Sequence, residues 1–457
     1  MKERVIELAK QGLKRDEIFA IIKSEGLTTL VKSSDKITLP QRRRWVRNNL
    51  NTLNEQADAP TIATAWTKAD QPVQYLKAIK DYTQARNCVD DGFSYRSSVS
   101  VDLDATCSGL QIYAMMYRDK MAAHGVNVSP SECVQDIYGT VAVEMVKIIE
   151  SVNAKVIPTK ISEWVYKEDE KDEKMTPQAK LKAIKELGET FIKRDHTKRI
   201  VMTLTYGLTN FGIMEYSDEA VESIGESKFT FFKAAKMAFA KIVTEALSVT
   251  ADCAVRGMLF TQKIAKYCAS NNIGMEWTTP MGFKAYRSTE GVTEDVIQLK
   301  TTKRDVQEDS AGNKTVTFES VKDRIVDFKK TGQLSAQKMS SAVAPDLVHS
   351  LDAALLMKTV KKAHAMGVTK FKLVHDSFGT TCANIPKLNL AIREAAIEIS
   401  EGNYFREWAV EVTKSMDWEE CKTKVNDWKG DEYISDRDVE QGDLDVNSIK
   451  SSQHFFS

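Results

Sequence analysis

Two aspartates that are far apart in the chain each belong to a short segment with the pattern of a β-strand or a β-hairpin. Asp104 ends SVSVDLD (98–104), and Asp376 lies within FKLVHDSFGTTCAN (371–384). Both are predicted to lie where a strand gives way to a turn, a common place for functional groups. Two carboxylates that meet in space can hold Mg²⁺, and paired ions can clamp both oxygens of a phosphoryl transfer. Taken alone, each aspartate is more simply a turn or capping residue.

A second group of chemically active residues lies in RDHTKRIVMTLTYG (194–207), which has a helical pattern. Steps of four residues drift by only about 40° on a helix, so Arg194, Lys198, Met202 and Tyr206 form one slowly winding stripe. Cations four residues apart repel each other, a cost that makes sense if they share an anion such as a triphosphate. Tyr206 would then lie roughly 18 Å further along the helix, about the length of a nucleotide. A solvated basic face with a core tyrosine is the simpler alternative.

Four further residues extend this pattern. Gly207 either stops the helix or lets a base approach the backbone. Arg199 lies off the stripe and is expected to face solvent or a neighbouring carboxylate. In APDLVHSLD (344–352), His349 and Asp352 are three residues apart and share a helix face. A lone histidine is more often structural, but here its Ser and Asp neighbours would orient it toward a hydroxyl.

The elements that must position these residues are mostly helices. Helical patterns cover residues 2–58, 73–87 and 140–270, and include an apolar core helix at 229–249 and a basic helix at 41–53. The basic helix is interpreted as a solvated face, with nucleic-acid contact as the alternative. Ser108 is predicted to cap the helix that follows the first strand, and Pro345 to open a helix over 346–364. The remaining predictions are a half-buried strand at 98–104, a charged loop at 167–174, a strand and turn at 276–287, a polar hairpin at 301–321 and a β-hairpin at 371–384.

Composition is compatible with many functions. The chain has 457 residues, with 64 basic and 64 acidic side chains, and this zero net charge neither supports nor excludes nucleic-acid binding. No apolar run is long enough to predict a membrane span. Seven scattered cysteines without a CxxC pair argue against zinc and against a disulfide framework, which suits a reducing cytoplasm.

Five ordered segments resemble those of the single-subunit RNA polymerases of bacteriophages and mitochondria. They are VDLDATCSGLQ, SECVQDIYG, RDHTKRIVMTLTYG-x₃-FG, APDLVHSLD and LVHDSFGT, and the resemblance runs from about residue 38 to the C-terminus. It implies an α+β, mainly helical fold of the right-hand polymerase type, with a palm built on an antiparallel sheet and helical fingers. It also implies RNA synthesis by a two-metal mechanism, with two Mg²⁺ ions as cofactors. The implied partners are a DNA template, an RNA transcript and ribonucleoside triphosphates.

The resemblance assigns the metal ligands. Asp104 and Asp376 match the family's two metal-binding aspartates. The backbone carbonyl of Ala105, where the family usually has glycine, would also face a metal. Asp102 lies on the same predicted strand face as Asp104, so alternation alone leaves the choice open, and the resemblance selects Asp104.

The resemblance also assigns the nucleotide site. Arg194 and Lys198 match residues that bind the incoming nucleotide's phosphates. Tyr206 matches the tyrosine that closes the site and helps to select ribose, and His349 matches a histidine near the ribose 2′-hydroxyl. Lys198 and Tyr206 are counted as catalytic as well. Supporting roles are implied for Gln111, Gly207 and His375, and the final aromatic pair, Phe455 and Phe456, is expected to tuck back toward the active site.

The division into domains follows from the same resemblance. The predicted domains are a helical N-terminal segment that forms a junction with a partner (1–60), a first palm segment with the first metal aspartate (61–140), fingers with the nucleotide-binding helix (141–335), a second palm segment with the second metal aspartate (336–427) and a C-terminal tail (428–457).

The chain also departs from the family pattern. In the family, a large N-terminal domain and an Asp-x-x-Gly-Arg motif precede the palm, and no Gly-Arg dipeptide occurs in this chain. The chain resembles the larger, catalytic subunit of the heterodimeric phage RNA polymerases for middle genes, so that the N-terminal domain is expected to be absent. This implies a second polymerase subunit that supplies the N-terminal half and a phage DNA-binding recruitment factor. It further implies transcription of phage genes in the cytoplasm of an infected bacterial host.

Other functions remain open. A family A-like DNA polymerase fragment would normally carry D-Y-S-x-I-E in its first motif, whereas this chain has D-A-T-C-S-G-L-Q, ending at Gln111. A polymerase-like subunit that binds nucleic acid without catalysis would not need the full set of catalytic side chains. A metal-dependent hydrolase at His375 and Asp376 would need further His and Asp ligands, and the chain has six histidines.

Overall fold

The computed structural model describes residues 39–167, 175–308, 314–428 and 433–456, and these are mainly helical. The predicted loop at 167–174 lies almost wholly outside the described residues, as does the helical pattern before residue 39. The described α-helices are α1 (Leu39–Asn48), α2 (Leu50–Asp58), α3 (Pro72–Asp90), α4 (Ser108–Met116), α5 (Lys120–Gly125), α6 (Ile137–Asn153), α7 (Thr159–Tyr166), α8 (Pro177–Gly188), α9 (Arg194–Leu204), α10 (Asn210–Ile224), α11 (Phe232–Thr250), α12 (Asp252–Ser270), α13 (Ala336–Ala365), α14 (Ile385–Ile399), α15 (Tyr404–Val412), α16 (Trp418–Asn426) and α17 (Asp436–Val439).

Seven strands form three antiparallel sheets within the described ranges. Two sheets are hairpins, and the third is a three-stranded sheet with the order β1-β7-β6, so the first strand in sequence pairs with the last. The expected hairpins at 301–321 and 371–384 are confirmed, although the first extends well beyond its predicted ends. The strand and turn expected at 276–287 are also found, and a second strand completes a hairpin there. The strands are β1 (Ser100–Asp104), β2 (Met275–Thr278), β3 (Lys284–Arg287), β4 (Glu290–Glu308), β5 (Lys314–Leu334), β6 (Lys372–Val374) and β7 (Ser377–Thr381).

The three-stranded sheet has one buried face. Leu103 and Phe378 pair across β1 and β7, and both are buried. The ring of Phe456, from the C-terminal tail, stacks on Phe378 with 5.3 Å between centroids. The half-buried strand is only partly confirmed, because Val101 is 41% exposed on the same strand. Apolar packing therefore fixes the sheet from one side and leaves the face that carries Asp104 open.

The helices around the sheet are held by an extensive apolar core. Every residue of α4 is buried, and α13 packs against both α12 and α14. The apolar helix predicted at 229–249 is confirmed as α11, with most of its apolar side chains buried. A separate small cluster of Leu53, Ala57 and Ile79 joins α2 to α3. No described helix has the length and apolarity needed to cross a bilayer.

Several predicted boundaries were wrong. Pro345 does not open a helix but lies inside α13, which begins at Ala336. Ser108 is the first helical residue of α4 rather than its cap, because Cys107 takes the N-cap position with a left-handed φ of 58°. The basic helix at 41–53 is interrupted at Asn49.

Candidate functional site

The strand pairing brings the two predicted metal aspartates together. Asp104 at the end of β1 is the pairing partner of Ser377, and Asp376 immediately precedes Ser377 in the turn between β6 and β7. The turn is tight, with His375 at a left-handed φ of 51°. Burial raises the pKa of Asp104, and the negative charge of Asp376 raises it further. The two carboxylates thus lie near enough to repel each other.

The donor set at this place suits magnesium. Mg²⁺ is commonly held by one or two carboxylates together with waters and substrate phosphates. Asp104 and Asp376 offer that arrangement, and their mutual repulsion is the charge that a divalent cation would balance. In the described regions of the chain, no group of three or more His, Cys, Asp or Glu side chains is arranged to hold a metal.

The structure also separates Asp102 from Asp104, which share a strand face. Asp102 accepts a hydrogen bond from the Lys372 ammonium on β6 and another from the Ser100 hydroxyl at 2.9 Å. Its charge is therefore matched by a cation within the sheet. Burial and the charge of Asp376 raise the pKa of Asp104, and the charge of Asp102 adds a smaller increase, so Asp104 and Asp376 form the main pair of mutually repelling carboxylates.

The C-terminal tail packs behind this pair. Phe456 forms an isolated antiparallel bridge with Ala105, the residue whose carbonyl is a predicted metal ligand. Gln111, which is buried, donates from Nε2 to the carbonyls of Phe455 at 3.0 Å and Val126 at 2.8 Å. Gln111 therefore ties α4 to the tail, and the tail lies against the backbone next to Asp104.

The predicted cationic stripe is formed by α9. Its buried residues Thr197, Ile200, Val201 and Leu204 hold it in the core, and Lys198 and Met202 lie exposed on the other side. The helix ends at Leu204, so Tyr206 lies in the following turn rather than on a continuous helix. The expectation of one helical stripe reaching Tyr206 was therefore wrong at its C-terminal end.

Arg194 is paired with a carboxylate and packs against an aromatic ring. Its Nε donates to Oδ2 of Asp136 at 2.8 Å, and its guanidinium carbon lies 4.8 Å from the ring centroid of Tyr138. The Thr197 hydroxyl donates to the Tyr138 carbonyl at 2.7 Å. Burial raises the pKa of the Cys107 thiol to about 11, and the neighbouring Tyr138 side chain acts in the opposite direction. This chain of contacts links the turn after β1 to the start of α9.

The expectation for Arg199 is confirmed. Its Nη1 donates to both carboxylate oxygens of Glu219, at 2.8 and 2.6 Å, and its guanidinium lies over the ring of Tyr216. This pair lies off the stripe, on the side that packs beside α10.

Tyr206 and His349 lie next to each other, with 5.1 Å between ring centroids. The Tyr206 hydroxyl is 3.5 Å from the Ser108 hydroxyl, at the start of α4. Burial raises the pKa of Tyr206, and the negative charges of Asp352 and Asp376 act in the same direction. Tyr206 therefore lies on the same side of the molecule as the carboxylate pair.

Asp352 also belongs to this region, and the sequence predicted for it only the role of orienting His349. Burial raises its pKa to about 6, with a further increase from the charge of Asp376, while His349 and His375 act in the opposite direction. Its Oδ1 is buried without a hydrogen-bond partner. Asp352, Asp376 and the two histidines thus form one electrostatically coupled group.

Gly207 brings the turn after α9 against α13. Its φ is +78°, and a Cβ atom there would lie 3.0 Å from the carbonyl oxygen of Ser341 and 3.2 Å from Pro345. A Cβ atom at Gly109 would similarly lie 2.3 Å from the Thr205 hydroxyl. Two glycines thus allow the close approach that places Tyr206 between α4 and α13.

Sequence reasoning gave no role to Asp136, Tyr138 or Cys107. The first two lie within the quoted segment SECVQDIYG. The only available signal was the presence of that segment among the five ordered ones, because spacing along the chain does not reveal a contact between α9 and the start of α6.

Sequence comparison relates this chain to known proteins. The family model for DNA-dependent RNA polymerase matches residues 26–438, so it starts earlier than the expected residue 38 and stops before the end of the tail. T7 RNA polymerase of Escherichia phage T7 is 30% identical over 388 residues, which cover 80% of this chain and 42% of that protein.

The matches to two further relatives cover more of this chain. The DNA-directed RNA polymerase of Enterobacteria phage T3 is 30% identical over 88% of this chain and 45% of its own length. DNA-directed RNA polymerase 1, mitochondrial, of Arabidopsis thaliana is 25% identical over 93% of this chain and 38% of its own length. The chain thus spans less than half the length of these relatives. It belongs to the DNA-dependent RNA polymerase family, and within that family to the single-subunit type of bacteriophages and plant mitochondria.

Proposed function

We propose that this chain carries the catalytic centre of a DNA-directed RNA polymerase, which joins ribonucleoside triphosphates by template-directed phosphodiester synthesis. The observation that carries the proposal is the pairing of β1 with β7, which joins Asp104 to the turn that holds Asp376. Two carboxylates at adjacent strand ends, beside a helix that bears cations, form an arrangement suited to phosphoryl transfer to a hydroxyl.

In this proposal the carboxylates of Asp104 and Asp376 act in their ionised form. The Ala105 carbonyl is proposed as a third oxygen ligand. Two Mg²⁺ ions, when bound, would stabilise the attacking 3′-oxygen and the leaving pyrophosphate. The charge of Asp376 disfavours ionisation of Asp104 when neither is compensated, so the pair has more to gain from a cation than an isolated carboxylate would.

The nucleotide would lie along α9. Arg194 and Lys198 would hold the triphosphate at the helix start, where backbone N–H groups also favour an anion. The contact between Tyr206 and His349 places a phenol and an imidazole side by side, and both can hydrogen-bond a ribose 2′-hydroxyl. A site built for that hydroxyl would reject a deoxynucleotide. His375, Gln111 and Gly207 are proposed to support this geometry.

The fold assignment follows from the same arrangement. We propose that the three-stranded sheet is the palm and that the helices between α6 and β5 form the fingers, with the tail behind the palm. The five predicted domain ranges are retained within this proposal.

A primed-template extension assay tests the proposed activity. We expect the chain, together with any polypeptide that co-purifies with it, to extend an RNA primer on a DNA template with ribonucleotides and Mg²⁺. Preferential incorporation of deoxynucleotides would favour the alternative of a DNA polymerase fragment. Template binding without extension by any nucleotide would favour a non-catalytic nucleic-acid-binding subunit.

We further propose that a second polymerase subunit and a phage DNA-binding recruitment factor act with this chain, in the cytoplasm of an infected bacterium. The proposal rests on the resemblance to the larger subunit of heterodimeric phage polymerases. Native purification from infected cells tests it: the result expected is a stoichiometric second polypeptide, and a fully active, promoter-specific monomer would contradict it.

A further inference from the structure

Arg194, at the start of α9, is held by a residue at the start of a neighbouring helix, α6. Asp136 occupies the N-cap position of α6, but its carboxylate makes no capping hydrogen bond. It accepts from the Nε of Arg194 at 2.8 Å instead. A carboxylate at a helix N-cap ordinarily satisfies a backbone N–H, so this side chain is diverted from its usual local role.

The neighbours of Asp136 make room for this diversion. A Cβ atom at Gly139 would lie 3.3 Å from Oδ2 of Asp136, the oxygen that accepts from Arg194, and glycine leaves that space open. Tyr138, which is buried, supports the guanidinium from one face at 4.8 Å. The carbonyl of Tyr138 accepts from the Thr197 hydroxyl, so the two helices are fastened at a second point.

This geometry leaves the phosphate-binding edge of the guanidinium available. The bond to Asp136 uses Nε, whereas a phosphate is bound in bidentate fashion by paired guanidinium nitrogens. Asp195 forms an ion pair with Nη1 at 3.7 Å, but this carboxylate is 82% exposed and beyond hydrogen-bonding distance, so it holds Nη1 only weakly. Arg194 itself is 32% exposed, so it is accessible to a ligand from one side.

We propose that Asp136 is a positioning residue for nucleotide binding, which holds Arg194 by Nε so that its terminal nitrogens face the triphosphate. This inference rests on the proposed function of Arg194. It goes beyond that proposal because it assigns a role to a residue on another helix that would not contact the nucleotide.

The test compares substitutions at both ends of the pair. In primer extension by the full chain with its co-purifying polypeptides, Asp136→Ala is expected to raise the KM for ribonucleotides about tenfold, with a smaller change in kcat. Asp136→Asn is expected to have a KM close to that of the wild type, because its amide oxygen can still accept a hydrogen bond from Nε. In an Arg194→Ala background, Asp136→Ala is expected to add no further loss.

Glu219→Ala is the matched control, because it breaks the other arginine–carboxylate pair on α9 without touching the stripe. Its KM is expected to equal that of the wild type. If Asp136→Ala raised the KM by the same factor with and without Arg194, the role of Asp136 would be merely structural and the inference would be overturned. A lower KM in Asp136→Ala would also overturn it, since the carboxylate would then compete with the triphosphate for Arg194.

Calorimetric titration with inorganic tripolyphosphate separates this inference from the proposed function. We expect the wild-type chain and Asp136→Asn to bind tripolyphosphate, and Asp136→Ala to bind about tenfold more weakly. A chain that binds in this pattern but extends no primer would contradict the proposed activity and retain the positioning role. Undetectable binding by the wild type, or equal binding by wild type and Asp136→Ala, would overturn the positioning role.

Discussion

Charged side chains at the proposed metal site differ from those around it in whether an opposite charge compensates them. Asp102 is matched by Lys372 and Arg199 by Glu219, and both pairs lie outside the proposed chemistry. Burial raises the pKa of Asp104, by contrast, and the charge of Asp376 raises it further. Uncompensated carboxylates in one place are costly unless a ligand balances them, so this contrast marks where a cation would bind.

A prediction at the residue scale concerns sugar selection. Tyr206→Phe is expected to lower the ratio of kcat/KM for ribonucleotides to that for deoxynucleotides by at least about tenfold, while extension continues. The physical reason is that the phenol lies beside His349 and Ser108, where it can take part in hydrogen bonding to the sugar of the proposed nucleotide site. Single-nucleotide incorporation with matched ribo- and deoxynucleotides provides the measurement.

Tyr216→Phe is the control for that experiment. It removes a hydroxyl from a tyrosine that packs over Arg199, off the stripe, and should leave the ratio unchanged. If Tyr206→Phe discriminated between ribo- and deoxynucleotides as well as the wild type, this tyrosine would have no role in sugar selection.

At this scale the sequence indicated candidate residues but few of their partners. Arg199 was expected to face solvent or a neighbouring carboxylate, and Glu219 is that carboxylate. The Asp136 partner of Arg194 was not expected, because the two belong to different helices and only the packed fold brings them together. Asp104 and Asp376 were identified by resemblance, since alternation alone did not distinguish Asp104 from Asp102.

At the scale of elements, the turn after α9 depends on a glycine. Gly207→Ala is expected to destabilise the chain by more than the roughly 1–2 kcal/mol that a left-handed φ costs an ordinary residue, because its Cβ would also press against the Ser341 carbonyl. Gly92→Ala is a close match, with φ of +79° and no atom within 4 Å of the added Cβ. Chemical denaturation of both variants measures the difference, and equal losses would show that the contact with α13 is unimportant.

A second element-scale prediction concerns the contact of α15 with β2 and β3. Burial raises the pKa of Glu411, but hydrogen bonds from Thr278 and Lys284 outweigh it, so the pKa lies below its usual value. The carboxylate accepts from the Thr278 N–H at 2.9 Å and from its hydroxyl at 2.7 Å. Glu411→Gln is expected to lower the free energy of unfolding at pH 7 by about 1–2 kcal/mol, because the amide cannot replace both acceptors.

The sign of the pH dependence follows from the lowered pKa. A carboxyl whose pKa is lower when folded stabilises the folded state above its unfolded pKa, and that stability is lost as the pH falls through the folded pKa. The difference between wild type and Glu411→Gln should therefore be full at neutral pH and shrink below about pH 4.5. Glu276→Gln is the control, since Glu276 is also near Lys284 but only at 3.7 Å. A difference that persists unchanged in acid would contradict this account.

Helices and hairpins were mostly predictable, whereas their ends were not. The pattern around Pro345 suggested a helix start because proline lacks an N–H group and suits a first turn. In the fold, α13 continues through this proline because Val343, Ala344, Leu347 and Val348 on both sides of it are buried. Tertiary packing outweighs the local preference, and sequence periodicity does not report that packing.

At the scale of the whole molecule, the main organising feature is the pairing of chain segments that are distant in sequence. β1 meets β7, and the C-terminal Phe456 meets Ala105 beside them. The order of the five motifs predicted that they belong together, but only the register of the strands shows how two of them meet. The division into palm and fingers remains a prediction.

The most direct test of the central proposal is RNA synthesis by three matched aspartate variants of the purified polymerase, measured on a primed DNA template. Asp104→Asn and Asp376→Asn are each expected to lower kcat by about 10³-fold or more while template binding is kept, because each removes a carboxylate proposed to hold Mg²⁺. Asp102→Asn, on the same strand face but paired with Lys372, is expected to retain most activity. Near-normal synthesis by Asp104→Asn or Asp376→Asn, or a loss confined to Asp102→Asn, would contradict the account.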